Sequence, residues 1–282
     1  MTNSHSPLGV IGEARSPMLR VARGELSFGQ FALFKDLSLS LGDIGTPSIV
    51  ALIGTNGSGK SALANVISGY YRLSSGSVEI GGRDLTRMRP TQRARDGVRR
   101  SFQNVSGIGG MTLLSYVTLG WEPVWPQPII NTVLGRRKAQ RYEREVADRT
   151  MVLIADVGLS EYYDRPLESC PYGVRKIADV VRAIGTAPGT VAVLDEPTSG
   201  VSQSERGTVM DVIRHAFTNA QSELVIIIDH DVAFVRELCP SSVVLEAGKV
   251  LASGATDEVL ALDRVAISFA GVTERKDGAT SP

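Results

Sequence analysis

The sequence has few cysteines and no excess of charge of either sign. Its 282 residues include two cysteines, Cys170 and Cys239, which are too few for a disulfide framework and suit a reducing cytosol. Lysine and arginine together number 30, and aspartate and glutamate also number 30, so the formal net charge is zero. Because binding to nucleic acid relies on clustered positive charge, we expect no nucleic-acid partner.

Long hydrophobic runs are absent as well. A helix that spans a bilayer needs about 18 to 20 apolar residues, whereas the longest runs here, Ile49–Ile53 and Leu224–Ile228, have the length of buried strands. The first residues hold no continuous apolar stretch, so we expect no secretory signal. If the protein works at a membrane, a partner must hold it there.

The pattern along the chain predicts an α/β protein. Partial alternation of apolar and polar residues from Leu19 to Leu39, with turn signals at Gly24 and Gly29, predicts short antiparallel strands. A hairpin that turns at Ala247-Gly248-Lys249 is predicted near the C-terminus. Continuous apolar runs predict strands that are buried on both faces. These runs are Ile49–Ile53, Val191–Leu194 and Leu224–Ile228.

A long helical region interrupts this pattern between Thr112 and about Gly185. Arg136–Ile154 is its clearest helix, because apolar residues recur there at the spacing of one buried face. We therefore predict a parallel α/β core over residues 18–262, with a helical subdomain inserted over about 104–185. Residues 1–17 are expected to be a disordered segment and residues 263–282 a polar C-terminal tail.

A glycine-rich loop follows the run Ile49–Ile53 and precedes a predicted helix over Ser61–Ser68. It matches G-x-x-x-x-G-K-[ST] in the strand-to-helix context that this phosphate-binding motif requires. Its residues are Gly54, Thr55, Asn56, Gly57, Ser58, Gly59, Lys60 and Ser61. Glycines let backbone N–H groups turn towards phosphates, and the helix N-terminus adds partial positive charge. We expect Lys60 to reach the β- and γ-phosphates and the Ser61 hydroxyl to bind Mg²⁺.

Two carboxylates, Asp195 and Glu196, directly follow the run Val191–Leu194. Hydrolysis of a nucleoside triphosphate needs one carboxylate for Mg²⁺ and another group that orients the attacking water. Asp195 suits the first role and Glu196 the second. Acidic residues are common after strands, so this pattern indicates catalysis only because an intact P-loop accompanies it.

His230 lies between Asp229 and Asp231, directly after the run Leu224–Ile228. A single histidine is more often structural than catalytic. However, ligands of open α/β sheets bind at the C-terminal ends of the strands. We therefore predict that His230 contacts a γ-phosphate.

The order of these motifs resembles that of the ATP-binding subunits of ABC transporters. The order is the P-loop, Ser101-Phe102-Gln103, a helical region, a signature-like segment, the strand that ends at Glu196, and His230. The resemblance covers about residues 18–262. It implies a P-loop NTPase core with an antiparallel β subdomain and an inserted helical subdomain, and it implies ATPase activity.

Three segments look like one branch of that family, the branched-chain amino acid importers. They are Ser101–Asn104, Met111–Leu114 and Tyr172-Gly173, the last of which stands where most members have Gly-Gly. Related urea importers and lipopolysaccharide-export ATPases share parts of this pattern.

The resemblance implies further site residues. Phe28 is similar to the aromatic residue that stacks on adenine, although a strand residue of the core would also fit this position. Gln103 is similar to the Q-loop residue, which touches Mg²⁺ or the attacking water. Ala62 stands where a second hydroxyl residue commonly follows the P-loop lysine, and it is expected to contact the nucleotide. The expected catalytic set is Glu196, His230 and Gln103, with Ser61, Gln103 and Asp195 around the metal.

The resemblance also implies partners. ATP and Mg²⁺ are the expected ligands, and integral-membrane permease subunits would hold the chain at the cytoplasmic face of the cell membrane. Their coupling helix would enter the helical region, and a solute-binding protein would act indirectly. In this family two ATP-binding subunits pair head to tail, so each ATP lies between one P-loop and the other subunit's signature.

The signature departs from the family's pattern. It usually reads Leu-Ser-Gly-Gly-Gln, or Leu-Ser-Tyr-Gly-Gln in this branch, whereas Cys170–Val174 reads Cys-Pro-Tyr-Gly-Val. Pro171 replaces the serine whose hydroxyl and N–H meet a γ-phosphate, and proline offers neither donor. Val174 replaces the glutamine, and Ser202 stands where Asp or Asn is usual.

The leading hypothesis is therefore an ATPase subunit that powers transport of branched-chain amino acids or similar small polar solutes. The altered signature leaves a second one open, a mainly regulatory ATP-binding partner in a heterodimer. A third, a soluble ABC protein that acts on DNA or ribosomes, is disfavoured. Such proteins usually carry long coiled-coil insertions or two cassettes in one chain, and neither is visible here.

Overall fold

The computed structural model describes residues 16–102, 110–124, 133–185, 191–220 and 223–269. Gln103 and Asn104 lie outside these ranges. The strands are β1 (Pro17–Phe28), β2 (Phe31–Asp43), β3 (Ser48–Gly54), β4 (Ser75–Ile80), β5 (Arg83–Asp84), β6 (Val98–Arg100), β7 (Val191–Asp195), β8 (Leu224–Ile228), β9 (Ser241–Glu246) and β10 (Lys249–Ala255). The helices are α1 (Lys60–Ile67), α2 (Pro90–Arg95), α3 (Leu113–Thr118), α4 (Val133–Asp156), α5 (Tyr172–Val180), α6 (Gln203–Ala220), α7 (Val232–Leu238), α8 (Thr256–Leu260) and α9 (263–269).

The larger sheet has the strand order β10-β9-β3-β8-β7-β6. Neighbouring strands from β9 to β6 are parallel, and β10 pairs antiparallel with β9. Side chains of β3 alternate between two buried clusters, with Ala51 and Ile53 on one face and Val50 and Leu52 on the other. Burial on both faces explains why β3 is a continuous apolar run rather than an alternating one. The predicted α/β fold is confirmed.

The smaller sheet is antiparallel, with the order β2-β1-β4-β5. The prediction of a turn at Gly29 is confirmed, since this residue lies between β1 and β2 with a φ of 59°. The prediction of a turn at Gly24 is wrong, because β1 continues through it with a register shift against β2. A β-carbon at Gly24 would lie 3.1 Å from Val21 Cγ1, so the glycine accommodates a bulge in a strand that pairs on both sides.

The helical region connects two adjacent parallel strands, β6 and β7. Its described helices lie where the sequence predicts them, and α5 continues into one π-helical stretch, Val181–Gly185. The region packs directly on the sheet, because Ile154, Ile177 and Ala178 share a buried cluster with Ala51 of β3.

The folded part extends beyond residue 262, where the sequence placed the start of a tail. Residues 263–269 form α9, whose Val265 is 1% exposed and whose Phe269 packs against the same cluster. These two apolar residues are four positions apart and therefore share one helix face. In the ranges given above, no helix combines the length and the apolar character that a bilayer crossing requires.

Candidate functional site

A cavity of about 440 Å³ lies at the C-terminal ends of β3 and β8. It brings together predicted residues from four separate parts of the chain. Those that line it are Phe28, Asn56, Gly57, Gly59, Lys60, Ser61, Ala62, Glu196 and His230. Gly54, Ser58 and Asp195 are buried behind this lining, and Thr55 is half-buried. A volume of this size is in the range of small-molecule sites.

Two glycines of the P-loop are required by its shape. Gly54 has a φ of 150°, and a β-carbon there would lie 2.2 Å from the Leu245 carbonyl oxygen of β9. Gly59 has a φ of 107°, and its β-carbon would lie 2.7 Å from the Phe34 ring. A side chain at Gly54 would therefore clash with β9 of the larger sheet, and one at Gly59 would clash with β2 of the smaller sheet.

Helix α1 begins at Lys60, and no side chain among the described residues caps its N-terminus. The first N–H groups of a helix have no intrahelical partner and carry partial positive charge. Together with the glycine loop, this helix end suits the binding of a phosphate chain.

Lys60 contacts the loop that precedes it. Its Nζ donates hydrogen bonds to the Gly54 and Thr55 carbonyl oxygens at 2.8 and 2.9 Å. Partial burial lowers the pKa of Lys60, while the negative charges of Glu196 and Asp195 oppose that shift. A phosphate next to Nζ would add to the groups that keep the amine protonated.

Asp195 ends β7 and is 2% exposed. Its Oδ2 lies 3.2 Å from Arg100 Nη2, and its backbone N–H donates to Ser101 Oγ at 2.8 Å. Arg100 also donates to Asn65 Oδ1 on α1. The sequence carried no sign that Arg100 would pair with Asp195, because the two residues meet only when β6 and β7 align.

The residues present fit a magnesium ion. Mg²⁺ takes oxygen ligands, often one or two carboxylates together with substrate phosphates. Ser61 lines the cavity. Asp195 is not part of the lining, but its carboxylate is close enough to Lys60 to oppose the lowering of the lysine pKa, and it is paired with Arg100 in this structure. Gln103, the third predicted ligand, lies outside the described residues.

Glu196 directly follows Asp195 and has an exposed side chain that lines the cavity. Its φ is 49°, in the left-handed region. Its N–H donates to the Ile228 carbonyl oxygen at 2.7 Å, and its carbonyl oxygen accepts from Lys176 Nζ at 3.1 Å. A left-handed residue other than glycine costs about 1 to 2 kcal/mol, so the surrounding contacts must hold it in place.

His230 is exposed at the mouth of the cavity, above a buried carboxylate. Asp229 accepts hydrogen bonds from Thr198 Oγ1 at 2.6 Å and from the Asp231 N–H at 3.0 Å. His230 Nδ1 lies 3.8 Å from Asp229 Oδ1. These contacts hold the backbone on either side of His230 and so position its imidazole.

Phe28 is 46% exposed, so it is not a core residue. Its ring packs edge-on against Tyr71, with ring centroids 5.2 Å apart. Phe31 stands opposite Phe28 in the β1–β2 register and lines the same cavity. Nothing in the local sequence singles out Phe31, because a hairpin register must be known before the two aromatic residues can be paired.

The signature-like segment leads into α5, with Pro171 at the N-cap and no capping side-chain hydrogen bond. Tyr172 packs over Gly200, where a β-carbon would lie 2.8 Å from the Tyr172 ring. A β-carbon at Gly173 would lie 2.7 Å from Glu205 Oε1. Glu205 in turn accepts hydrogen bonds from the Ser202 N–H and hydroxyl. The signature-like segment and the residues after β7 are therefore packed together.

A buried polar network that the sequence reasoning missed joins α3, α5 and the segment before Gln103. Asp179 accepts hydrogen bonds from Tyr116 Oη at 2.6 Å, from the Phe102 N–H at 2.8 Å and from Arg182 Nη2 at 2.7 Å. The Arg182 guanidinium lies 4.1 Å from the centre of the Phe102 ring. Burial raises the pKa of Tyr116 well above its ordinary range, so the phenol stays a hydrogen-bond donor.

Comparisons with known proteins give one consistent family. A family model described as "ABC transporter" matches residues 34–199. The chain is 27% identical over 243 residues to the high-affinity branched-chain amino acid transport ATP-binding protein LivG of Salmonella typhimurium, covering 86% of this chain and 93% of LivG. It is 32% identical over 236 residues to the phosphonates import ATP-binding protein PhnC 1 of Rhodopseudomonas palustris, covering 80% and 79% of the two chains.

A solved structure has the same fold. The crystal structure of the ADP conformation of MJ1267, an ATP-binding cassette of an ABC transporter, matches with a TM-score of 0.73 and 25% identity. The match covers 91% of this chain and 99% of that one.

Proposed function

The chain belongs to the ABC transporter family as an ATP-binding subunit, and from that premise we propose that it powers uptake of branched-chain amino acids or similar small polar solutes. The observation that carries ATP hydrolysis is the single cavity in which the P-loop, Glu196, His230 and Phe28 converge. The proposed solute rests on the similarity to LivG. The similarity to a phosphonate importer is the reason to keep other small polar solutes in view.

The residues have these proposed roles. The N-terminus of α1 and Lys60 bind the phosphate chain, and Phe28 stacks on the adenine. Ser61 and Asp195, together with Gln103, would hold Mg²⁺, which neutralises charge on the phosphate oxygens. Glu196 accepts a hydrogen bond from the attacking water and orients it, while His230 contacts the γ-phosphate.

The proposed partners are integral-membrane permease subunits, which hold the chain at the cytoplasmic face of the membrane. A solute-binding protein delivers the solute to them. The helices between β6 and β7 share a core with the sheet, which supports their proposed role as the receiver of a coupling helix.

Pro171 supports a second ATP-binding subunit of different sequence. It lies at the N-cap of α5, where its ring offers no hydrogen bond to a phosphate of a facing site. We propose that the working unit is a heterodimer in which the other subunit supplies an intact signature. The same observation favours the alternative, a mainly regulatory ATP-binding subunit.

Reconstituted transport tests the proposal. The chain is assembled with its candidate permeases, second ATP-binding subunit and solute-binding protein in proteoliposomes, and ATP-driven uptake of labelled leucine and of a labelled phosphonate is measured. We expect the assembly with the wild-type chain to take up leucine and the assembly with the Glu196→Gln variant to lose this uptake. Uptake of the phosphonate alone would overturn branched-chain amino acids as the solute and leave only the other small polar solutes. Leucine uptake that survives Glu196→Gln would indicate the regulatory role.

A further inference from the structure

Lys176 is a buried cation that the motifs of the sequence did not single out. It lies on α5, four positions after Tyr172, and is 5% exposed. Its Nζ donates to the Glu196 carbonyl oxygen at 3.1 Å and lies 5.9 Å from the centre of the Tyr172 ring. A buried ammonium group requires hydrogen-bond acceptors, and these contacts supply one acceptor and one aromatic face.

Glu196 has a backbone conformation that needs such contacts. Its φ of 49° is in a region that residues with a β-carbon rarely adopt. Three contacts hold its peptide groups. The N–H donates to the Ile228 carbonyl oxygen of β8, and the carbonyl oxygen accepts from the Ser199 N–H of its own turn and from Lys176 Nζ of α5, which is the only one of the three that comes from a side chain. Because both peptide groups are held, the Cα atom from which the Glu196 side chain extends is held beside the cavity.

We propose that Lys176 is a positioning residue for ATP hydrolysis, which acts by holding the Glu196 backbone in its left-handed conformation. The proposal rests on the role proposed for Glu196. Displacing a reacting group by about 1 Å costs on the order of 100-fold in rate, so loss of this contact should affect hydrolysis rather than binding. Because α5 also carries the signature-like segment, the contact ties that segment to the catalytic carboxylate of the same chain.

Three variants of the full chain separate this role from a structural one. Lys176→Met keeps the apolar stem and removes the donor, whereas Lys176→Arg restores a buried cation that can donate. Arg175→Met is the matched control, because Arg175 is the neighbouring cation near the same Tyr172 ring, at 5.6 Å. The measurements are ATP affinity by calorimetry and the single-turnover rate of γ-labelled ATP with protein in excess, which remains measurable when turnover is slow.

We expect Lys176→Met to hydrolyse ATP about 10- to 100-fold more slowly at nearly unchanged affinity. Lys176→Arg should recover most of the rate, and Arg175→Met should resemble the wild type. Hydrolysis at the wild-type rate in Lys176→Met overturns the proposal, as does an equal loss of ATP affinity and thermal stability in both Lys176 variants. Glu196→Gln is run in parallel: if it also hydrolyses normally, the proposed role of Glu196 fails, and if only Lys176→Met is normal, this inference fails alone.

Discussion

At the residue scale, the Lys60 side chain can stabilise its own loop and also bind a ligand. Its ammonium donates hydrogen bonds to two carbonyl oxygens of the loop, at the N-terminus of a helix that no side chain in the described part of the chain caps. Negative phosphate oxygens at the same place would be better acceptors than carbonyls, because hydrogen bonds between charged groups are the stronger ones. The proposed nucleotide site therefore depends on the charge of Lys60 and not only on the shape of the glycine loop.

We predict that Lys60→Ala weakens binding of ATP and Mg²⁺ by about 10- to 100-fold, which corresponds to the roughly 1.5 to 3 kcal/mol of a hydrogen bond to a charged group. Isothermal titration calorimetry measures the affinity. Lys35→Ala is the control, since Lys35 is an exposed lysine on β2 outside the lining of the cavity. Unchanged affinity in Lys60→Ala would remove the assignment of the phosphate site.

For Glu196 we predict that substitution by glutamine preserves ATP binding and slows hydrolysis by about 100-fold or more. The amide has the same shape and leaves the backbone contacts to Ile228 and Lys176 in place, but it cannot polarise water as a carboxylate does. Phosphate release with a partner subunit present is the measurement. Turnover equal to that of the wild type would contradict the proposed role.

The buried thiol of Cys239 allows a prediction about its reactivity at a given pH. Burial, and to a lesser degree the charge of Asp229, raise the pKa of the Cys239 thiol to about 12. Since the thiolate is the reactive form, Cys239 should resist iodoacetamide at pH 8 in the folded chain and react after unfolding in urea. Mass spectrometry of the labelled peptides gives the extent of reaction, and rapid labelling of the native protein at pH 8 would be the contrary result.

At the scale of elements, Asp179 holds three segments together. Helix α3 contributes Tyr116, α5 contributes Asp179 itself, and the end of the described segment before Gln103 contributes the Phe102 N–H. Arg182, from the π-helical stretch after α5, completes the charge pair and also donates to the Arg100 carbonyl oxygen at 2.7 Å. The strand that carries Arg100 towards Asp195 is thus linked to the helices.

We predict that Asp179→Ala lowers the free energy of unfolding by about 3 to 5 kcal/mol, because it removes the negative charge that Asp179 places against the buried Arg182 guanidinium. Tyr116→Phe is the milder comparison and should cost about 1 to 3 kcal/mol, since it removes one hydrogen bond to a charged acceptor. Urea denaturation followed by circular dichroism measures both. Equal and small shifts in the two midpoints would show that the network contributes little.

The elements also show where sequence reasoning succeeds. Helix α4 was predictable, because the apolar residues Val146 and Ile154 recur on one face, and strands β3, β7 and β8 were predictable from their continuous apolar runs. The short strand β6 has only three residues, two of them arginines, and is held as a strand by its pairing with β7. Its local sequence therefore carries almost no signal.

At the scale of the whole molecule, the P-loop region keeps the residues expected for binding and hydrolysis of ATP, whereas the signature-like segment does not. The cavity contains the P-loop, Glu196 and His230, whereas α5 begins with a proline at its N-cap. A homodimer would pair two P-loop sites that have the expected residues with two signature-like segments that lack the serine expected to contact a phosphate. A heterodimer with an intact partner signature would hold one complete site.

We predict that the chain alone hydrolyses ATP slowly and that its candidate partner subunit increases turnover. Pro171→Ser should raise the activity of the chain alone, because serine restores a hydroxyl and an N–H at the N-cap of α5. Phosphate release is compared for the wild type and the variant, each alone and in the mixture. If the chain alone is as fast as the mixture and Pro171→Ser changes nothing, the heterodimer is wrong.

The sequence by itself determined those parts of the site that are built from consecutive residues. The P-loop is specified by closely spaced glycines followed by Lys60 and Ser61, and Asp195 and Glu196 are specified by their place after an apolar strand. Such segments are recognisable because their hydrogen-bonding and conformational requirements are local. The family and the α/β fold follow from the order of these segments.

Only the tertiary structure decided which distant side chains support the site. Arg100 meets Asp195 across 95 positions of sequence, and Lys176 meets Glu196 across 20. Phe31 joins Phe28 through the hairpin register, and Asp179 gathers partners from three segments. These contacts depend on strand order and on the packing of helices against a sheet, which are set by burial of the whole core and not by the residues that meet.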